Sequence, residues 1–392
     1  MSKQQTKRTA IQLILTLLIG GLMQFPIIAS IEPSKNPQDP PAELSKAINQ
    51  LRLQHHVPGA SIALIQNHKI AWLMPLGSAN LEKNIPVTTQ TLFEACSITK
   101  ALTSVVVLKA LQRNHISLNT DVNKLLKRWT IPKHPYESKV TVRTLLDHSG
   151  GLSDPYPNLG KVIGFPRITL KDQVMGLSPF TTTPLHVESS PGTYAYCNGC
   201  YSILQMLVED LSGETYQTLV EKDIFYPLNM KHSTFDETLL ENPAINIAIP
   251  YNDQHQPYPP FDRMPVYSTG GLITTAEDLA TFVLGFQDAL LGKSNALMSR
   301  QLAEDMVKPS STETRGLGFF IGDKDANEMD EGKFFFHSGQ NIGYLTLLIG
   351  SKDGSVGAVI LINISSPWGS PDHPHFHFIT DTLRTLNNYY EW

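Results

Sequence analysis

The strand-like segments of this chain lie near its two ends, and this placement constrains the fold more than any other feature. Residues 344–349 and 356–362 are apolar runs separated by a short turn with an Asp-Gly pair, a strong hairpin signal. Near the other end, residues 61–65 and 70–73 are short apolar runs around a polar stretch, which predicts a second hairpin. We therefore expect distant parts of the chain to contribute strands to one sheet.

Helical patterns account for most of the remaining chain. Residues 42–54 and 379–386 have apolar side chains at helical spacing, and residues 113–310 alternate helical patterns with loops rich in Pro and Gly. The sequence predicts an α/β fold in which an antiparallel sheet is flanked by helices and built from both ends of the chain. The sheet part comprises about 42–112 and 311–392, and the inserted part, about 113–310, is mostly helical.

The composition is that of a globular protein and argues against one class of partner. The 392 residues are 41% hydrophobic and 17% charged, with a formal net charge of −5. Basic residues are not clustered beyond the N-terminus, whereas nucleic-acid phosphates require clustered Lys and Arg. We therefore expect no nucleic-acid partner.

The first thirty residues have the pattern of a secretory signal peptide. Three basic side chains precede an apolar run at residues 11–23, and small residues follow up to Ser30. We expect cleavage near Ser30, export to the periplasm or the medium, and no stable membrane insertion afterwards. An uncleaved membrane anchor is the alternative, although the run is short for a bilayer. Residues 31–41 are predicted to be a linker, and 42–392 the functional domain.

The three cysteines leave several pairings open. Cys197 and Cys200 are one helical turn apart, while Cys96 is far from both in sequence. Export favours a disulfide, but a bond between positions i and i+3 of one helix is expected to be strained. A bridge from Cys96 to Cys197 is the more interesting candidate, and the alternative is that all three are buried thiols.

Ser97 and Lys100 form the first motif with chemical potential. Apolar spacing predicts a helix over residues 97–112, so the two side chains share one face near its start. A lysine can take the proton of a serine hydroxyl if burial or nearby cations lower its pKa. Ser-x-x-Lys alone is nevertheless an ordinary helix sequence.

Tyr196 and Asn198 form the second motif, Tyr-Cys-Asn. A phenol held near a lysine can transfer protons to a leaving group, and an amide can orient the lysine and the substrate. Tyr156 and Asn158 have the same spacing but lie in a Pro-rich loop, whereas a helical run follows Tyr196. We therefore favour Tyr196.

His337-Ser338-Gly339 is the third motif, at the end of a short aromatic run that is predicted to be a strand. Glycine permits a close backbone approach, and a strand beside a cleft can offer N–H groups to a substrate carbonyl. His148-Ser149-Gly150 has the same letters but follows a helical pattern, so it serves as the comparison. A histidine alone does not indicate a functional site. His337 is a candidate because the first two motifs are also present.

In this order, the three motifs resemble those of the serine β-lactamase-related family, which includes class C β-lactamases, DD-peptidases, D-aminopeptidases and esterases. The segment 93–100 looks like the family's nucleophile motif. Residues 142–152 and 270–280 look like its supporting segments, and the likeness spans about 42–365. The resemblance implies a β-lactamase/transpeptidase-like fold.

The resemblance also implies roles for individual residues. Ser97 would attack an acyl carbonyl and become acylated, while Lys100 and Tyr196 would share the general-base and general-acid work. Asn198 would orient the substrate. The oxyanion hole would consist of the backbone N–H groups of Ser97 and Gln340. Which of Lys100 and Tyr196 takes the first proton stays open at this point.

The third motif departs from that of class C β-lactamases, which carry Lys-Thr-Gly there. A lysine offers a fixed charge to a substrate carboxylate, whereas His337 is charged only when protonated. Among relatives, His-x-Gly is closer to D-aminopeptidases and esterase-like hydrolases. The sequence therefore predicts a serine hydrolase that acts on an ester, an amide or a D-amino-acid peptide through an acyl-enzyme on Ser97. Its substrate-binding residues are expected to include Asn198, His337, Gly339 and Gln340.

Two alternatives stay open. One is a β-lactamase or DD-carboxypeptidase, and the other is a non-catalytic protein that binds cell-wall or peptide ligands in the same cleft. The expected partner is a small-molecule or peptide acyl substrate, including one derived from the cell wall. We expect no cofactor and no metal. His373, His375 and His377 could bind zinc on an extended segment, but the residues before them resemble a helix start.

Overall fold

Strands from the two ends of the chain pair into one sheet in the computed structural model. All described residues belong to a single compact unit, Glu32–Trp392. The predicted signal peptide and most of the predicted linker lie outside the described residues, as do Tyr156 and Asn158. The structure describes residues 38–154, 169–177, 183–242, 245–259, 266–322, 332–366 and 374–392.

The main sheet has seven strands in the order β3-β2-β1-β9-β8-β7-β6, and every neighbouring pair is antiparallel. Its central junction joins β1 to β9, with Ala60 opposite Ile362. The expectation that the sheet is built from both ends of the chain is confirmed. The strands, including two that form a separate pair, are β1 (Gly59–Gln66), β2 (Lys69–Asn80), β3 (Ile85–Pro86), β4 (Phe93–Glu94), β5 (Ile273–Thr274), β6 (Phe320–Gly322), β7 (Phe334–Asn341), β8 (Tyr344–Ser351) and β9 (Val356–Ile362).

Two tight turns fix the predicted hairpins. Between β1 and β2, Asn67 and His68 both have positive φ, at 52° and 58°, a conformation that favours two-residue hairpin turns. Between β8 and β9, Gly354 has φ 74°, and the Asp353 carboxylate accepts hydrogen bonds from the Ser351 hydroxyl and the Ser355 N–H. The turn chemistry therefore sets the register that places apolar side chains on both faces of the central strands.

Helices cover both faces of the sheet. The first and last helices pack together on one face, and the inserted helix Ala276–Leu290 packs against β1, β8 and β9. None of the helices in the described ranges combines the length and the apolar character needed to cross a membrane. The helices are α1 (Ala42–Gln54), α2 (Thr99–Arg113), α3 (Val142–Leu146), α4 (Leu170–Val174), α5 (Asn198–Ser212), α6 (Tyr216–Val220), α7 (Tyr226–Leu228), α8 (Tyr267–Gly270), α9 (Ala276–Leu290), α10 (Arg300–Val307) and α11 (Pro374–Tyr390).

Alternation along β1 shows how the layers form. Ile62 and Leu64 belong to the apolar cluster that includes Leu44 of α1 and Phe378 of α11. The intervening residues of β1 are also buried, so the strand has an apolar layer on each side. Complete burial of such a side chain stabilises the fold by about 1.5–3 kcal/mol. The sheet is thus a buried layer against which the helices pack.

The predicted helix over residues 97–112 begins slightly later than expected. Cys96–Ile98 forms a 3₁₀ turn, and α2 starts at Thr99. This turn contacts β7 and β8, while α2 packs against α5 and α8. The nucleophile candidate therefore lies between the sheet and the inserted helices.

Candidate active site

Ser97 lies in a constrained turn between β4 and α2. Cys96, directly before it, is fully buried and has φ 54°, which is uncommon for a residue other than glycine. Strained backbone of this kind is typical of functional sites, where the surrounding structure holds it in place. Ser97 itself is 7% exposed. The turn therefore holds the Ser97 hydroxyl between the sheet and the inserted helices.

Lys100 is completely buried one helical turn after Ser97. Its Nζ lies 3.1 Å from Ser97 Oγ and donates a hydrogen bond of 2.7 Å to the Thr269 carbonyl. Burial lowers the pKa of this amine to about 7, although the negative charge of Asp154 opposes the change. Near neutral pH, a large share of Lys100 is therefore unprotonated and able to accept a proton from the Ser97 hydroxyl.

Tyr196 completes a group of three side chains around the nucleophile. Its phenol is hydrogen-bonded to Ser97, and Lys100 Nζ lies 5.1 Å from the centre of its ring. The residue is 36% exposed, yet its hydroxyl is desolvated, and burial raises the pKa of the phenol. The phenol therefore stays protonated at neutral pH and is able to donate a proton.

His148 also lies in the site, although the sequence treated its motif as the comparison for His337. Its ring stacks on Tyr196 with centroids 4.4 Å apart, and its Nδ1 accepts a 3.1 Å hydrogen bond from the Cys197 N–H. It is 3% exposed, and burial followed by the Lys100 charge holds its pKa well below the ordinary value. The neutral ring therefore supports Tyr196. The sequence offered only a hint, because residues 142–152 matched a family segment.

Asn198 is the first residue of α5 and contacts an acid that the sequence did not single out. Its backbone N–H and its Nδ2 donate to Asp154 Oδ2, at 3.2 and 3.0 Å. Its Oδ1 is buried and has no hydrogen-bond partner among the described residues. Tyr196, two residues before Asn198, reaches Ser97, whereas the Asn198 amide is oriented by Asp154.

Strand β7 passes directly beside the nucleophile turn. A Cβ atom on Gly339 would lie 2.8 Å from Ser97 N and 2.6 Å from Cys96 Cβ, so only glycine permits this approach. Gln340 follows on the same strand, and its side chain donates to the Ser366 carbonyl at 3.0 Å. The backbone of β7 therefore lies directly beside Ser97.

His337 lies on β7 but is not a cation in this environment. Burial, followed by the Lys100 charge, lowers its pKa to about 3, and the positive charge of Arg315 acts in the same direction. Its Nδ1 donates to the Ser338 carbonyl at 2.6 Å, so the neutral ring has its lone pair on Nε2. That atom is buried without a partner among the described residues. His337 therefore supplies no fixed charge for a substrate carboxylate.

The structure corrects the predicted cysteine pairing. The disulfide joins Cys197 to Cys200, and Cys96 is a buried thiol directed towards the carbonyls of Glu94 and Tyr344. The expected strain assumed that both partners lie inside one helix. Cys197 instead precedes α5 in an extended conformation, and the two Cα atoms are 5.3 Å apart, an ordinary distance for a disulfide.

The suggested zinc motif is engaged in other contacts. His375 lies in α11, where its two ring nitrogens contact the His55 carbonyl and the Asp253 carboxylate, each at 3.1 Å. His377 is exposed on the same helix, and His373 lies outside the described residues. Across the parts of the chain that the structure describes, no three His, Cys, Asp or Glu side chains are grouped to hold a metal ion.

The site and the fold together define a protein of the β-lactamase and penicillin-binding-protein type, a class whose members include serine hydrolases. A serine hydroxyl, a buried lysine and a phenol meet at the start of a helix that faces an antiparallel sheet. Residues 44–381 match the model of the Beta-lactamase family, and the chain belongs to that family.

Similar proteins agree with this assignment. Protein flp of Staphylococcus aureus strain N315 is 24% identical over 349 residues, which cover 84% of this chain and 64% of that protein, slightly less than two thirds. The octameric penicillin-binding protein homologue from Pyrococcus abyssi has a TM-score of 0.71 at 23% identity, covering 88% of this chain and 77% of that one. D-amino acid amidase from Ochrobactrum anthropi SV3, complexed with L-phenylalanine, has a TM-score of 0.69 at 20% identity. The match covers 89% of this chain and 99% of the amidase chain. At these identities the structural matches establish the fold alone.

Proposed function

We propose that this protein is a serine hydrolase that forms an acyl-enzyme on Ser97 with an ester, an amide or a D-amino-acid peptide. The observation that carries the proposal is the 3.1 Å contact between Ser97 Oγ and the buried Lys100 Nζ, whose pKa is about 7. An exposed lysine would remain protonated and could not act as a base at neutral pH. A buried amine with a pKa of about 7 beside Ser97 Oγ supports this role for Lys100.

The order of proton transfers follows from the two pKa changes. Neutral Lys100 accepts the Ser97 proton while Oγ attacks the substrate carbonyl, and the backbone N–H groups of Ser97 and Gln340 stabilise the oxyanion. Tyr196, which stays protonated because burial raises its pKa, then donates its proton to the leaving group and regains one from Lys100. In the second half of the reaction, water attacks the acyl ester on Ser97. The same groups then transfer protons in the opposite direction.

The neutral state of His337 supports a hydrolase that differs from an efficient β-lactamase. A β-lactam or a peptide terminus presents a carboxylate, and the third-motif cation that would pair with it is missing from β7. We expect turnover of short-chain p-nitrophenyl esters or D-alanyl amides to exceed turnover of a chromogenic cephalosporin. A much faster cephalosporin reaction would reverse this order in favour of a β-lactamase.

Labelling with a fluorophosphonate tests the nucleophile. We expect one probe per chain, mapped to Ser97 by mass spectrometry and lost in Ser97→Ala. Ser104→Ala is the matched control, because Ser104 is a buried serine in α2 whose hydroxyl donates to the Lys100 carbonyl. A folded protein that neither reacts with the probe nor hydrolyses the esters would instead be a non-catalytic binding protein.

Export is part of the proposal and rests on the N-terminal pattern alone. We propose a periplasmic or secreted enzyme whose substrate is a small molecule or a peptide, including fragments of the cell wall. Intact-mass measurement of protein recovered from outside the cytoplasm would show whether the chain has lost about thirty residues, as cleavage near Ser30 requires. Recovery of the full-length chain from membranes would support the anchored alternative.

A further inference from the structure

The disulfide between Cys197 and Cys200 lies inside the second motif of the site. Cys197 separates Tyr196, whose phenol is hydrogen-bonded to Ser97, from Asn198, the first residue of α5. Cys200 lies in the first turn of that helix, so the bond encloses only the residues at the junction. The bridge is therefore attached to the backbone that carries a proton donor of the proposed reaction.

Stabilisation of the fold accounts poorly for a bond of this kind. A disulfide constrains the unfolded chain less when it closes a shorter loop, and this one has a sequence separation of 3. Cys197 also caps α5, because its Sγ accepts the Cys200 N–H at 2.9 Å, and a serine would form the same cap without a bridge. Burial holds the helix itself, since its residues 198–208 are all buried. The covalent bond is thus needed neither for the cap nor for the packing of α5.

The segment that carries Tyr196 is irregular. Residues 194–197 lie outside the helices and strands, and α5 begins directly after them. Two N–H groups of this segment donate to His148 and so attach it to the neighbouring loop. The disulfide adds a covalent link to α5, which packs against α2, the helix that carries Lys100. The bond therefore restrains the backbone of Tyr196 relative to Lys100.

Both cysteines are shielded from solvent in the folded protein. Cys197 is 2% exposed and Cys200 is 0% exposed. A reductant must reach and attack a sulfur atom, so burial protects a disulfide that has already formed. The redox conditions during folding therefore decide whether the bridge is present, and disulfides form in oxidising compartments outside the cytosol.

We propose that Cys197 and Cys200 are positioning residues whose disulfide holds Tyr196 in place, so that full activity appears only after the bond has formed. In this step two thiols lose two protons and two electrons, and a disulfide oxidant such as oxidised glutathione takes them up and becomes two thiols. The inference rests on the proposed acyl-enzyme chemistry at Ser97 and adds an activation step to it. Activation would then accompany the proposed export.

The test compares two butyrate esters whose leaving groups differ in their need for a proton. p-Nitrophenolate leaves as a stable anion, whereas ethoxide must be protonated, which is the task given to Tyr196. Cys197→Ser/Cys200→Ser lacks the bridge and keeps an oxygen that can cap α5. The ratio of kcat/KM for ethyl butyrate to kcat/KM for p-nitrophenyl butyrate should fall at least about tenfold in this variant, because a positioned general acid contributes about 100- to 10,000-fold.

The dithiol form of the wild type gives an independent measurement. Protein refolded with a phosphine reductant should show the same low ratio, and refolding with oxidised glutathione should restore the high one. The double serine variant is the matched control, because it has no bridge and its ratio should not respond to the reductant. Alkylation after unfolding should modify all three cysteines of the dithiol form and only Cys96 of the oxidised form.

An unchanged ratio overturns the proposal, whether both rates fall together or neither changes. If the melting temperature alone decreased, the bridge would be a stabilising element and not a positioning one. The double variant should still react with the fluorophosphonate at Ser97, which separates loss of the proton donor from loss of the fold. Failure of the proposed function would show differently, because the oxidised wild type would then neither react with the probe nor hydrolyse either ester.

Discussion

Burial of ionisable side chains determines the chemistry available at the level of single residues. Lys100, His148 and His337 are each at most 3% exposed, and desolvation is the largest cause that lowers the pKa of all three. Of these, only Lys100 has a pKa near neutrality, because the histidines are driven well below their ordinary values. Among these three groups, Lys100 therefore changes its protonation state near neutral pH, while the two histidine rings stay neutral.

The pH dependence of acylation should report Lys100. Below a pH of about 7 the amine is protonated and cannot accept the Ser97 proton, so kcat/KM for a p-nitrophenyl ester should rise with pH and level off above 8. Lys100→Met should abolish the reaction, and Lys109→Met, which changes a lysine on the same helix, should retain the midpoint. A midpoint near 4 would indicate a carboxylate base and contradict this assignment.

Variants of His148 should lower the rate without moving that midpoint. Phenylalanine keeps a ring against Tyr196 but leaves the Cys197 N–H unsatisfied, whereas glutamine keeps an acceptor and loses the stacked ring. We expect phenylalanine to reduce kcat about tenfold, in line with the cost of about 1–3 kcal/mol for an unsatisfied buried group. We expect glutamine to reduce kcat by up to about tenfold, because it loses a ring contact worth about 0.5–1.5 kcal/mol. KM should change little. If either variant removed the acid limb, His148 would be the base and the role given to Lys100 would be wrong.

At the level of elements, the sequence predicted what local periodicity and turn chemistry determine. The helix over Ala42–Gln54 and the strand Val356–Ile362 were predicted with their observed bounds, and the Asp-Gly turn lies where expected. The disulfide was missed because pairing depends on the backbone at one position, the extended Cys197 before α5. Asp154 and His148 were missed because their roles arise from contacts across the fold, which spacing along the chain does not reveal.

The approach of β7 to the nucleophile turn gives a prediction at this scale. Gly339→Ala would place a Cβ 2.5 Å from Thr346 Oγ1 and 2.8 Å from Ser97 N, which forces strand and turn apart. Displacement of one oxyanion donor reduces rates by about 100-fold or more, and we expect that loss in the rate of fluorophosphonate labelling.

Gly270→Ala is the control for this change. Its Cβ would also face Cys96, but at 3.4 Å, an ordinary contact. Its labelling rate should stay close to that of the wild type, with melting temperatures recorded for both variants. Equal labelling rates for Gly339→Ala and the wild type would show that β7 does not shape the site.

For the whole molecule, the neutral buried histidines make stability depend on pH. An unfolded His337 binds a proton below a pH of about 6.5, whereas the folded protein excludes that proton until about 3. The contribution of neutral His337 to the free energy of unfolding is therefore fully present above pH 6.5. It is lost as the pH falls, by about 1.4 kcal/mol per pH unit. Among the described residues, the charges of Lys100 and Arg315 lower the pKa of this ring, and His337 in turn lowers the pKa of His148.

Urea unfolding at pH 8 and pH 5 checks this prediction. The wild type should lose about 2 kcal/mol more than His337→Gln over that interval, since glutamine has no proton to bind. The comparison between the two proteins removes the part of the pH dependence that the carboxylates cause. Parallel losses in both would mean that His337 is protonated in the folded state.

The junction between β1 and β9 also has a consequence for biosynthesis. Ala60 leaves the ribosome long before Ile362, its neighbour in the sheet, so the growing chain cannot complete its core until almost all of it has been made. During that time the β1–β2 hairpin has an open edge, which chaperones would have to protect. A chain that stays unfolded until release can still be threaded through a translocation pore, and the topology is therefore compatible with the export proposed above.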